Sequence, residues 1–73
     1  MTQFGPKSDT RIQKKNRTVI LSAGLVVFSQ FGFRGSTLDL VAEEAGLSKP
    51  NLLYYFRSKD AIYTALLAKL LED

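Results

Sequence analysis

Residues 38–57 read LDLVAEEAGLSKPNLLYYFR, and this stretch decides the fold. Among its 20 positions Ala42 is fifth, Gly46 ninth and Leu52 fifteenth. Two helices crossing at roughly 90–120° through a 3–4-residue turn need that spacing. A small side chain at Ala42 lets the second helix approach the first. Gly46 supplies the positive φ that ends the first helix. Leu52 seats the second helix on a core to which Val41, Ala45 and Leu47 also contribute. The stretch reads as a helix-turn-helix over about residues 36–57, and the activity it implies is DNA binding.

The flanking residues mark further helices. Ile20, Ala23, Gly24, Val27, Phe28 and Phe31 recur at three and four residues, one apolar stripe of a helix from about Gln13 to Phe31. Gly24 costs that helix about 1 kcal/mol relative to Ala, which points to close packing there. Gly32 stops it, and Gly35 permits the turn that follows. Thr37 caps the second helix and Asp39 suits the positive end of its dipole. Leu38, Val41, Ala42 and Ala45 face inward on it, while Asp39, Glu43 and Glu44 stay wet. Ser48 caps the third helix, about Lys49 to Tyr55, with Pro50 in its first turn. Ser58 caps the fourth, from about Lys59 to the C-terminus. Met1 to about Ile12 contains Gly5-Pro6 and little periodicity, so residues 1–12 read as a flexible tail. The expected fold is all-α: a homeodomain-like three-helix domain, residues 13–73, with the start of a fourth helix.

Composition narrows the function. The 73 residues make one small domain, and the absence of cysteine and histidine excludes disulfides and the usual zinc sites. The common nucleophile–base pairs are missing too, so no enzyme, metal or cofactor is expected. The net charge of +3 is uneven, +5 over residues 1–35 and −2 over the rest. A basic face or arm turned towards a polyanion fits that asymmetry. A solvated tail accounts equally well for Lys7 and Arg11. Lys14, Lys15 and Arg17 ahead of Val19–Phe28 mimic the start of a secretory signal. Ser22, Gly24, Ser29 and Gln30 interrupt or close that run, no small-x-small cleavage site follows, and the run is too short to span a bilayer. A cytoplasmic protein without membrane contact is expected.

The last helix carries two apolar rows, Ile62, Leu66, Leu70 and Tyr63, Leu67, Leu71. Three short helices cover one row but not both. Leu67, Leu70 and Leu71 are therefore expected to pack against something outside this chain, which reads as a fragment.

Gly35 to Lys59 resembles the N-terminal domain of TetR-family transcriptional regulators. The likeness rests on Phe31-Gly32-Phe33, Ser36-Thr37, AEEAGLSK (42–49), Leu52, Tyr55-Phe56 and Ser58-Lys59-Asp60-Ala61, and with the first-helix stripe it covers about residues 14–73. SQFGF (29–33) and NLLYYF (51–56) are similar to the group of that family that regulates pyrimidine utilisation. The resemblance implies a regulator, most often a repressor, that dimerises through a C-terminal ligand-binding domain absent from this chain. Two recognition helices would then read a pseudo-palindromic operator, and an effector would alter their separation. Many members carry a tyrosine where this chain has Leu53, so a phosphate contact assigned to that tyrosine does not transfer.

In such a domain the third helix lies in the major groove of double-stranded DNA. Lys49 would donate to guanine, Asn51 would read adenine or meet a phosphate, and the Pro50 ring would rest on a thymine methyl. Tyr55 would bury its ring and reach a phosphate with its hydroxyl. Tyr54, unable to share that face, would lie more exposed and nearer the groove. Thr37 and Lys59 open two helices whose free N–H groups can clamp phosphates on either side, as the resemblance also implies. Arg17 and Arg34 are further candidates for backbone contact. The competing reading is a small helical protein-interaction module built on the same fold and using the fourth-helix leucines.

Overall fold

A computed structural model describes the backbone of residues 6–72 and the side-chain surroundings of residues 12–71. Four helices follow one another: α1 Pro6–Gly35, α2 Leu38–Ala45, α3 Lys49–Tyr55 and α4 Lys59–Glu72. The last three begin where the capping residues place them. Thr37 Oγ1 accepts from Leu40 N at 3.1 Å, Ser48 Oγ from Asn51 N at 3.3 Å and Ser58 Oγ from Ala61 N at 3.2 Å. Each hydroxyl satisfies one N–H that a helix start leaves unpaired.

The first helix starts earlier than expected. Residues 6–12, read above as tail, belong to α1, with Pro6 at its start, where a proline costs no hydrogen bond. Met1 to Gly5 lie outside the described residues. At the other end Gly32 breaks the helix, with φ 75° and ψ 166°, so Phe33 to Gly35 form a separate turn. Gly35 does not carry the turn in the way expected, because only Gly32 and Gly46 have positive φ among the described residues. At Gly46, φ 74° and ψ 27° place it in the left-handed region. Gly46 N donates to Glu43 O at 3.1 Å and Leu47 N to Ala42 O at 2.9 Å. This pair of bonds closes α2 as a Schellman motif.

The core joins all four helices. Ile20, Leu21, Ala23 and Val27 of α1 meet Val41 and Ala42 of α2, Leu52 of α3, Phe56, and Ile62 and Leu66 of α4. At Gly24 α1 and α4 pack closely. A Cβ there would stand 2.7 Å from Ile62 Cγ2, so the expectation of close packing holds. Phe31, placed on the stripe from periodicity, is 51% exposed, because the Gly32 break ends that face. Phe33 turns inward instead. Its ring lies 5.7 Å from Phe28 and 5.3 Å from Tyr63, and Phe28 and Tyr63 are 5.9 Å apart.

Among the described residues Ser36 is the one buried polar side chain. Its hydroxyl donates to Gly32 O, with Val27 O 3.3 Å away, and so ties the α1–α2 connection to the broken end of α1. The segment Ile12–Gly35 is long and apolar enough to cross a membrane by length and composition, unlike the shorter run weighed above. Ile20, Leu21, Ala23 and Val27 of this segment are committed to the four-helix core, while Ile12, Leu25, Val26 and Phe31 stay exposed. On α4, Ile62 and Leu66 are covered, whereas Leu67, Leu70 and Leu71 are exposed, Leu71 to 85%.

Candidate nucleic-acid interface

The start of α3 stands clear of the domain. Lys49, Pro50 and Asn51 are all exposed, while Leu52, the next residue, is fully buried and anchors the helix. Ser48 caps the start of α3, Pro50 fixes φ in its first turn, and the buried Leu52 fixes which face of the helix turns outward. Among the described residues the Asn51 side chain has no hydrogen-bond partner, leaving both its donor and acceptor for a base edge or a phosphate. Lys49 Nζ lies 3.4 Å from Asp39 Oδ1 across the turn, and both side chains are largely exposed. An exposed pair of this kind is worth at most about 1 kcal/mol, so a stronger anion can compete for the lysine.

Thr37 serves as the cap of α2, yet the capping bond uses only its oxygen lone pair. The hydroxyl hydrogen stays free to donate.

The two tyrosines differ in exposure in the expected sense, but their hydroxyls turn to α1. Tyr54 is 70% exposed and Tyr55 half-buried. Gln13 Nε2 donates to Tyr54 Oη at 3.3 Å and Asn16 Nδ2 to Tyr55 Oη at 3.1 Å. The rings meet edge to face with centroids 5.1 Å apart. Adjacent residues on one short helix achieve this because their long side chains converge on two residues three apart on α1. Neither Gln13 nor Asn16 was identifiable as a partner from the sequence, since both bonds span about forty residues of chain.

The Lys59 side chain turns back onto the domain. Its Nζ donates to Phe33 O at 2.7 Å, Ser36 O at 3.0 Å and Arg34 O at 3.4 Å, and lies 4.6 Å from the centre of the Phe33 ring. All three ammonium hydrogens are thereby engaged within the domain. What remains at this position for a phosphate is the helix N-terminus itself, with its unpaired backbone N–H groups. Arg17 is seated on the Phe56 ring at 5.1 Å, and Arg34 is exposed.

A helix-turn-helix domain whose second helix is pinned by Leu52 and presents Lys49, Pro50 and Asn51 outward defines the class of this protein. A family model described as bacterial regulatory proteins, tetR family, matches residues 20–66. The chain belongs to the tetR family. The HTH-type transcriptional regulator RutR of Escherichia coli K12 is 49% identical over 75 aligned positions, which cover 99% of this chain and 35% of RutR. The HTH-type transcriptional repressor KstR2 of Rhodococcus jostii RHA1 is 29% identical over 68 positions, 93% of this chain and 33% of KstR2. IcaR of Staphylococcus aureus Newman, named as a negative transcriptional regulator of the biofilm operon icaADBC, is 39% identical over 44 positions, 60% of this chain and 24% of IcaR. The chain thus spans about a third of the length of RutR and KstR2, or less in IcaR. The likeness read from SQFGF and NLLYYF falls on a relative that matches nearly the whole chain.

Proposed function

We propose that this domain reads double-stranded DNA in a sequence-specific manner, as the operator-binding part of a transcriptional repressor. The observation that carries the reading is the exposed Lys49-Pro50-Asn51 start of α3 on a helix anchored by the fully buried Leu52. Lys49 and Asn51 meet base edges, Pro50 packs on a thymine methyl, and Thr37 and the N–H groups at the start of α4 hold the flanking phosphates. Tyr54 and Tyr55 contact the backbone on the α1 side. The similarity to KstR2, a transcriptional repressor, and IcaR, a negative transcriptional regulator, supports repression as the outcome.

The whole protein acts as a cytoplasmic homodimer on a pseudo-palindromic site, one α3 in each half-site, and responds to a ligand held outside this domain. Exposed Leu67, Leu70 and Leu71 provide the apolar surface on which such a further domain packs. A pyrimidine-related effector is the working choice, drawn from the likeness to the pyrimidine-utilisation group. Selection of duplexes from a random pool by the 73-residue chain, followed by titration at several salt concentrations, tests the reading. One enriched half-site with log K falling linearly with log salt is expected. Salt-insensitive binding, or no preference among duplexes, would overturn it in favour of a protein-interaction module.

A further inference from the structure

We propose that the cleft between the first half of α1 and the end of α3 is a seat for a DNA backbone phosphate. It rests on the DNA-binding reading above and adds residues of α1 to that surface. Tyr54 and Tyr55 form a wall shared by two adjoining hollows. One is lined also by Gln13, Lys14 and Arg17, the other by Ile12, Gln13, Asn16 and Asn51. The surface therefore runs without interruption from Asn51, the expected base reader, across the tyrosines to two cations on α1.

Three features suit this cleft to a phosphate. No acidic side chain lines either hollow, and Lys14 and Arg17 have no acidic partner among the described residues. Arg17 is held against the Phe56 ring, so its guanidinium is positioned before any ligand arrives. The third feature is the direction of the hydrogen bonds. The Gln13 and Asn16 amides donate to the tyrosine oxygens, which leaves each phenol hydrogen unused. A phenol whose oxygen already accepts is a polarised donor, suited to an anionic oxygen. Gln13 and Asn16 act as positioning residues, aiming a donor they do not themselves provide.

The test compares the wild-type chain with Lys14→Gln, Arg17→Gln, Tyr55→Phe, Asn16→Ala and the pair Asn16→Ala/Tyr55→Phe. Binding to a fluorescent duplex is measured by anisotropy at several salt concentrations, with thermal melting as a check on folding. Each cation variant should lower the slope of log K against log salt by about 0.9. Tyr55→Phe should weaken binding about tenfold with the slope unchanged. Asn16→Ala should weaken it by a smaller factor, and that factor should vanish in the Tyr55→Phe background, a result that a merely structural role for Asn16 would not give. A wild-type chain that binds duplex while Lys14→Gln and Arg17→Gln keep its full salt slope, and Tyr55→Phe its affinity, would overturn the seat alone. No duplex binding by the folded wild-type chain would overturn the DNA reading and the seat together.

Discussion

The ammonium of Lys59 lies 2.7 Å from the carbonyl oxygen of Phe33 and ties the start of α4 to the broken end of α1. Two more carbonyls, of Arg34 and Ser36, share the same group. The backbone around Gly32 leaves helical carbonyls without their usual partners, and a cation placed there answers both the missing donors and the negative end of the helix dipole.

Lys59→Met keeps most of the stem and removes the donors. Hydrogen bonds to a charged group are worth about 1.5–3 kcal/mol each in favourable cases, and partial exposure discounts the set, so a loss of about 2 kcal/mol is expected. Urea unfolding should show a lower midpoint with an unchanged m-value. An unchanged midpoint together with a salt slope flattened by about one would place this side chain on the DNA backbone instead.

The two positive-φ glycines should respond differently to asparagine. Gly46 sits in the left-handed helical region, which asparagine tolerates, so Gly46→Asn should cost well under the 1–2 kcal/mol expected of Gly46→Ala. Gly32, with ψ 166°, occupies a region open essentially to glycine alone. Gly32→Asn and Gly32→Ala should both cost about 1–3 kcal/mol, even though a Cβ there would meet no other atom within 4 Å. Equal melting temperatures for Gly32→Asn and Gly46→Asn would contradict this account.

Gly24→Ala should destabilise the domain although alanine favours a helix by about 1 kcal/mol over glycine. The new methyl would overlap Ile62 Cγ2 at 2.7 Å, and overpacking of this kind costs about 1–3 kcal/mol. Ile62→Leu removes that branch. The double variant Gly24→Ala/Ile62→Leu should therefore be more stable than the two single effects sum to, as read from denaturant midpoints.

Asp39→Asn releases Lys49 and removes a negative charge beside the proposed groove face. Tighter duplex binding by several-fold at low salt is expected, the gain shrinking as salt rises. Stability should fall by less than about 1 kcal/mol, since both the exposed pair and the helix-dipole contribution are small. Asn51→Ala, by contrast, should relax preference at one or two base positions by about 1–3 kcal/mol and leave the salt slope alone.

What could be read from the sequence was what neighbouring residues decide among themselves. Thr37, Ser48 and Ser58 cap within three residues, and Gly46 ends α2 through bonds to Ala42 and Glu43, so each carries its own signal. Periodicity failed where the backbone changes direction: Gly32 carries Phe31 outward and Phe33 inward, and no count of 3.6 anticipates that. The beginning of α1 was missed because residues 6–12 have no apolar face to announce a helix. At the candidate site, the position of Lys49, Pro50 and Asn51 in the first turn of α3 was legible from their place after the cap. The bonds from Gln13 and Asn16 to the tyrosines, and the retreat of the Lys59 ammonium, depend on how distant helices cross.

The turn at Gly46 is closed by backbone groups alone, from Gly46 to Glu43 and from Leu47 to Ala42. No outward side chain of α3 takes part in those bonds. The angle at which α3 is offered is thus set by the Gly46 turn and the Leu52 anchor, apart from the outward side chains at positions 49 and 51. On the DNA-binding reading proposed above, such a domain is a fixed socket with an exchangeable reading head, whose target is rewritten by substitution at those positions without renegotiating the fold.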